Sequence, residues 1–277
     1  MKRILSFLAL TALTVTTFAD VPPVVGHRGN SSIAPENTLS AYHSCIEVGA
    51  HGAECDLYRT KDGILVLQHD LTLNRNVRNA QGAPVSGQIA DYTLAELRTM
   101  DFGVWKGEQF KGEKVATLEE YLDLLKGTTC GPVIELNQLG QEVDTIAAVR
   151  ARKMEKETVI IAFDENVIKS CRRLAPEIKA AWLCGKKRRE SLDQYADRII
   201  ATLKEINTTC VDLEHSPATP EFVKKLHDNG ITVMVWTADN PDRIKALFDM
   251  GVDSVTTNVP DIALEIYKKQ ESSKKND

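Results

Sequence analysis

Residues 209–257, TCVDLEHSPATPEFVKKLHDNGITVMVWTADNPDRIKALFDMGVDSVTT, hold short apolar runs at 209–214, 232–237 and 253–257, separated by amphipathic helical segments. Such alternation predicts parallel strands, because a parallel neighbour is reached only through a crossover long enough to contain a helix. The helix starts are marked in the sequence. Thr219-Pro220 and Asn240-Pro241 each place a capping side chain ahead of a proline in the first helical turn. Gly230 and Gly251 follow the helices they end. Towards the amino terminus the same rhythm gives strands at 132–136, 158–163 and 179–184, and earlier ones at 24 and 52 complete a set of eight. Eight such units in 277 residues predict an α/β fold, a TIM (β/α)8 barrel in one domain.

In such a barrel the reactive groups gather at the carboxyl ends of the strands. That rule selects His27, Glu54, Asp56, Glu135 and Trp236. The densest chemistry lies between residues 24 and 70. Val24-Val25 leads into Gly26-His27-Arg28-Gly29, an imidazole and a guanidinium between glycines that permit close approach to a ligand. A helix over 38–48 follows, then a strand in which Glu54 and Asp56, two residues apart, share one face. Lys61-Asp62-Gly63 predicts a hairpin with a type I′ turn, so the next run should fold back antiparallel. Paired residues then have numbers summing to about 124, which sets Asp70 opposite Glu54 and His69 beside the carboxylates.

Carboxylates crowded on one face repel unless a cation lies between them. Oxygen-only ligands suit a hard divalent cation, Ca²⁺ or Mg²⁺. With Arg28 it would neutralise a phosphate, leaving His27 and His69 to move protons on and off oxygen. Glu135, in Val133-Ile134-Glu135-Leu136-Asn137, is a charge among apolar residues, costly unless it is ion-paired or metal-bound.

The residues carrying this chemistry, His27-Arg28-Gly29 with Ala34-Pro35-Glu36-Asn37-Thr38, Glu54-x-Asp56, Thr60-x-Asp62-Gly63, and His69-Asp70 with Leu73-x-Arg75, closely resemble the glycerophosphodiester phosphodiesterase family. The resemblance continues through MDFGVW at 100–105, KVATLEE at 114–120, VIEL at 133–136 and VWTADNPDRIKALFDMGVDSVTTNVPD at 235–261. It implies a phosphodiesterase-type TIM barrel in which His27 and His69 are the acid/base pair, and Glu54, Asp56 and Glu135 hold one divalent metal. The implied reaction is hydrolysis of a small-molecule glycerophosphodiester to glycerol 3-phosphate and an alcohol, with Arg28, Asn137 and Trp236 on the substrate or its phosphate. In two places the chain departs from the family pattern. Asn137 stands where lysine is usual, and Asp239 stands where the common W-T-V-N has asparagine. A related enzyme acting on a lipid or another phosphodiester would need an apolar mouth, for which only Trp105 and Trp236 offer themselves. A non-catalytic phosphodiester-binding protein is the other alternative, and the histidine pair argues against it.

Residues 71–126 interrupt the strand-helix rhythm and predict an inserted lobe after the hairpin. Thr93 with Glu96 and Thr117 with Glu120 are capping boxes, and Trp105 either walls the pocket or packs the lobe on the barrel. Residues 1–19, with Lys2 and Arg3 before an apolar run and Thr17-Phe18-Ala19 at its end, read as a signal peptide cleaved near Ala19. They predict an exported, periplasmic or secreted, protein without a stable membrane anchor. The barrel domain then spans 20–268, and 269–277 reads as a frayed polar tail. The net charge of −5, with no basic stripe, gives no footprint for nucleic acid. Six cysteines allow fifteen full pairings, with Cys45–Cys55 the first to consider, but most lie in apolar contexts where cysteine acts as a small hydrophobe. His43, His51 and His227 read as structural or surface residues, and His215 falls at the strand end where it could touch substrate. No sequence pattern sets an oligomeric state.

Overall fold

The computed structural model describes residues 21–274. The signal-peptide expectation for residues 1–19 lies outside them. The first half of the chain folds as β1 (Val24–Gly26), α1 (Leu39–Val48), β2 (Gly52–Arg59), β3 (Leu65–Leu67), α2 (Leu94–Leu97), α3 (Leu118–Leu125) and β4 (Gly131–Leu136). The second half alternates regularly: α4 (Glu142–Arg152), β5 (Val159–Ala162), α5 (Glu165–Leu174), β6 (Lys179–Cys184), α6 (Leu192–Glu205), β7 (Cys210–Glu214), α7 (Pro220–His227), β8 (Thr232–Trp236), α8 (Pro241–Asp249), β9 (Ser254–Thr257) and α9 (Pro260–Lys274). All strands but β3 pair in parallel, and β1 bonds both β2 and β9, which closes an eight-stranded barrel. The expected TIM barrel is the fold observed.

Alternation along each strand divides the core in two. Inward residues such as Val25, Val133, Val159, Ala181, Cys210 and Met234 fill the lumen. Outward residues such as Cys55, Ile134, Ile160, Val211 and Val233 pack beneath the helices. Each large apolar side chain buried in this way contributes about 1.5–3 kcal/mol. All six cysteines are buried free thiols, so the Cys45–Cys55 pairing is absent.

The hairpin register agrees with expectation, pairing Leu57 with Leu67, Tyr58 with Val66 and Arg59 with Leu65. Its turn does not. Neither Lys61 nor Asp62 has the positive φ that a type I′ turn requires, and only Gly63 does, at 88°. Gly63 N–H bonds Thr60 O, Thr60 N–H bonds Ile64 O, and the Thr60 hydroxyl caps Ile64 N–H, so the loop is one residue longer than a two-residue turn.

The inserted lobe has its own core of Leu73, Val77, Ile89, Leu97, Met100, Phe102 and Val115. It ends earlier than expected. Helix α3 lies on the barrel, with Tyr121 donating to Ala53 O at 2.6 Å and Leu118, Leu122 and Leu125 in the main core. It serves as the crossover from β2 to β4. Both capping boxes form as read. Trp105 packs within the lobe, its indole N–H bonding Phe102 O, and does not line the central cavity. Residues 269–274, expected in a frayed tail, continue helix α9, with Gln270 bonded to Asp249 and to Lys245 O, and the remainder of that tail, 275–277, lies outside the described residues.

Candidate active site

At the carboxyl end of the barrel a cavity of about 160 Å³ is bordered by His27, Arg28, Glu54, His69, Glu135 and Trp236, among others. Larger hollows of about 660 and 750 Å³ lie at the opposite end, among turn residues, and contain no converging buried carboxylates.

Glu54, Asp56 and Glu135 offer oxygens within 4.8 Å of one another. They meet because β2 and β4 pair in register, Asp56 beside Glu135, and the pleat turns all three inward. Glu54 and Asp56 are 2% and 1% exposed. Burial and the charges of Asp56 and Glu135 push the Glu54 carboxyl well up, and burial with Asp56 and Asp212 raises Glu135 to about 8. Glu54 Oε1 is buried with no hydrogen-bond partner. An orphaned oxygen in an all-oxygen set fits a hard divalent cation.

Arg28 and Gly29 both adopt left-handed backbone, φ 57° and 84°. This turns the Arg28 N–H onto Glu54 Oε2 at 2.7 Å. A Cβ on Gly29 would stand 2.6–2.9 Å from Ala41, so the glycine is required by close approach as well as by φ. The Arg28 guanidinium bonds Glu36 at 3.0 Å and lies 3.5 Å from Asp56. Asn37, also left-handed, donates to Asp56 Oδ2 at 2.8 Å and accepts from the Tyr42 hydroxyl.

His27 is held from the far end of the chain. Its Nδ1 lies 2.8 Å from Asn258 Oδ1, while Asn258 Nδ2 donates to Asp239 Oδ2 at 2.6 Å. With the amide nitrogen engaged by a carboxylate, the oxygen must face the ring, so Nδ1 carries the proton and Nε2 is the free acceptor. Ser31 also donates to Asn258 Oδ1, and Asp239 Oδ1 accepts from Thr257 and from Asn258 N–H. Asp239 therefore has a defined set of contacts, although it replaces the usual asparagine. Burial, then the Arg28 charge, lower the His27 pKa. His69 is part-exposed at the mouth, with Nδ1 2.7 Å from Asp70 Oδ1. Asp70 does not face Glu54 as the register extrapolates. Beyond Leu57–Leu67 the pairing continues only through the Gln68 N–H on Asp56 O, and Asp70 turns to Arg75, which also binds Glu36.

Trp236 borders the cavity, its N–H on Asp212 O at 3.3 Å and its ring edge-on to Phe163 at 5.6 Å. Asn137 is exposed on the loop after β4 and does not line the cavity. His215 is engaged by Arg243 and is likewise not a lining residue. His227 bonds Asp253, and His51 packs edge-on to Tyr267, in keeping with their bland readings.

Sequence reasoning quoted Asn37 and Asn258 only within longer motifs, without a role, and missed Asp212. Asp212 is 1% exposed, lines the cavity, and is pushed up to about 8 by burial. The signal that exposed Glu135, an acid inside an apolar strand, is equally present in Cys210-Val211-Asp212-Leu213.

The glycerophosphoryl diester phosphodiesterase family profile matches residues 27–262. A glycerophosphodiester phosphodiesterase of Caldanaerobacter subterraneus is 29% identical, covering 89% of this chain and 98% of that protein. A Bacillus subtilis glycerophosphodiester phosphodiesterase is 30% identical, covering 88% and 86% respectively. Among solved structures, an Oleispira antarctica phosphodiesterase in complex with the product sn-glycerol-3-phosphate is 26% identical with a TM-score of 0.76, covering 90% of this chain and 97% of its own. With the profile spanning most of the barrel and both sequence and fold in agreement, the chain belongs to the glycerophosphoryl diester phosphodiesterase family.

Proposed function

We propose that the protein hydrolyses glycerophosphodiesters to glycerol 3-phosphate and an alcohol, using a divalent cation and two histidines. The observation that carries this reading is the convergence of Glu54, Glu135, Arg28, His27 and His69 on one small cavity. Family membership and the product bound by the O. antarctica relative support the reaction class. Glu54, Asp56 and Glu135 are the residues to hold one cation, Ca²⁺ or Mg²⁺, which when bound supplies Lewis acidity towards a phosphoryl oxygen.

The remaining work falls to the chain itself. Arg28, steadied by Glu36, neutralises a second phosphoryl oxygen as charge builds. His27, with Nδ1 tied to Asn258, presents an unprotonated Nε2 and takes the proton from the attacking oxygen. His69 protonates the departing alcohol; a proton donor carries both ring protons, and Asp70 is placed to balance that charge. Trp236 walls the glycerol side, while Asn137, exposed and not a lining residue, takes no step. An export signal cleaved near Ala19 would put this hydrolysis outside the cytoplasm, which the mass of the mature chain tests.

The deciding assay incubates chelator-stripped mature protein with glycerophosphocholine and glycerophosphoethanolamine, with and without Ca²⁺ or Mg²⁺, and measures glycerol 3-phosphate. Cation-dependent release is expected; none from folded protein with either cation overturns the reading.

A lipid phosphodiester is the second reading, favoured by a feature the sequence did not disclose. Ile33, Leu139 and Phe163, on the loops after β1, β4 and β5, are 57%, 64% and 53% exposed at the same end as the cavity. The run Lys186-Lys187-Arg188-Arg189 after β6, present in the sequence but not singled out there, adds positive charge at that end, a combination suited to an anionic lipid surface. Faster turnover of lysophosphatidylcholine than of glycerophosphocholine would favour this reading.

A further inference from the structure

Asp212 is a buried acid with no assigned work. Both carboxylate oxygens are shielded and without a hydrogen-bond partner, at 1% residue exposure. It is not part of the oxygen cluster formed by Glu54, Asp56 and Glu135. It borders the same cavity from β7, and Thr256 Oγ1 on β9, likewise buried and unpartnered, borders it too. Around Asp212 the lining is apolar, formed by Ile161, Leu183 and the Trp236 ring, while Thr256, paired with Val25, lies beside the strand that leads into His27. Unsatisfied polar groups buried in an apolar wall cost free energy, and two from separate strands facing one cavity call for a partner able to serve both.

We infer that Asp212 and Thr256 anchor the glycerol end of the substrate, accepting from and bonding to its vicinal hydroxyls. This rests on the phosphodiesterase reading above. With the phosphate drawn to the Arg28 and carboxylate side, the group opposite it lies against Asp212. The cavity, at about 160 Å³, is well below the ~300–1,000 Å³ typical of drug-sized ligands, so it admits a small polyol phosphate and leaves the alcohol group towards the mouth. A diol supplies two hydroxyls for two unpartnered groups. A quaternary ammonium head offers no hydrogen bond to Thr256 and does not account for it.

Binding of two phosphates in the presence of Ca²⁺ or Mg²⁺ tests this: sn-glycerol 3-phosphate, and ethyl phosphate, which lacks both hydroxyls. Titration calorimetry on the wild-type protein should show glycerol 3-phosphate bound about ten- to a hundredfold more tightly. Asp212→Leu should bring the ratio close to one while leaving ethyl phosphate affinity within about twofold, and Thr256→Val should lower the ratio by a smaller factor. The retained ethyl phosphate binding shows that the variants are folded. Equal wild-type affinities, or a ratio that both substitutions leave intact, overturn the anchor while leaving the phosphodiesterase reading in place. Wild-type protein that binds neither phosphate overturns that reading and the anchor with it.

Discussion

The two walls of the cavity are built on opposite principles. On the side of β1, β2 and β4 the inward positions at the carboxyl end are His27, Glu54, Asp56 and Glu135, crowded and partly orphaned. On the side of β5, β6 and β8 the corresponding lining is Ile161, Leu183 and Trp236, with Asp212 as a single acidic exception on β7. The same barrel geometry presents both, so the difference comes from which side chains the strands turn inward. Three crowded carboxylates facing one guanidinium favour a cation between them, whereas an apolar wall excludes water and strengthens electrostatic interactions across the gap.

Breaking the charged wall should have the largest consequence. Glu54→Gln or Glu135→Gln should lower cation-dependent release of glycerol 3-phosphate by about a thousandfold or more, since one lost ligand weakens both cation binding and phosphoryl polarisation. Turnover within about tenfold of wild type would detach the carboxylates from the chemistry. His27→Ala and His69→Ala follow, each expected to cost about 10²–10⁴ in kcat, the usual contribution of a positioned acid or base.

Asn258→Leu sharpens the comparison, because it leaves the charged wall in place and removes the amide that orients His27, together with its bonds to Ser31 and Asp239. A fall of about tenfold in kcat with little change in KM is expected. Loss of the Nδ1–H form of His27 in ¹⁵N spectra should accompany it. A KM effect alone would mean that Asn258 serves substrate instead.

Stability should also report the charged wall. Exposed glutamate in the unfolded chain titrates near ~4.3, whereas burial and Asp56 raise Glu135 to about 8 in the cation-free fold. Between those values the folded state keeps a proton that the unfolded state has released, so cation-free stability falls as pH rises from about 4.5 to 8. A bound cation replaces that proton, and the rise in Tm on adding Ca²⁺ or Mg²⁺ should grow across the same window. Several degrees are expected, at about 2–4 °C per kcal/mol for a domain of this size. A Tm gain independent of pH would show that the carboxylates are not the site.

The smallest effect belongs to the apolar wall. Phe163, 53% exposed and edge-on to Trp236, should tolerate alanine with about a two- to fivefold rise in KM for glycerophosphocholine. A larger loss confined to lysophosphatidylcholine would give the rim a lipid-binding role.

Much of this was readable from local pattern. Strand alternation put Glu54 and Asp56 on one face, the hairpin register summed as expected, and the Thr93 and Thr117 caps formed where the spacing indicated. The errors have local causes as well. Asp-Gly suggested two left-handed residues, but the Thr60 hydroxyl supports a longer loop that needs only Gly63. Asp70 left the register because Arg75 offers it a stronger partner than a strand end does. The lobe appeared to include α3 because composition cannot tell which surface a short amphipathic helix covers.

By itself the sequence determined the eight-unit barrel and, with the family resemblance, most of the acidic and imidazole groups and the end of the barrel at which they gather, since periodicity and turn chemistry act over a few residues. Only the tertiary structure decided the rest. Closing β9 onto β1 brings Asn258 to His27 across 231 positions, and the inward turn of β7 leaves Asp212 facing the lumen without a partner. Those contacts come from ring closure, which couples distant segments through packing and hydrogen bonds that no local spacing encodes.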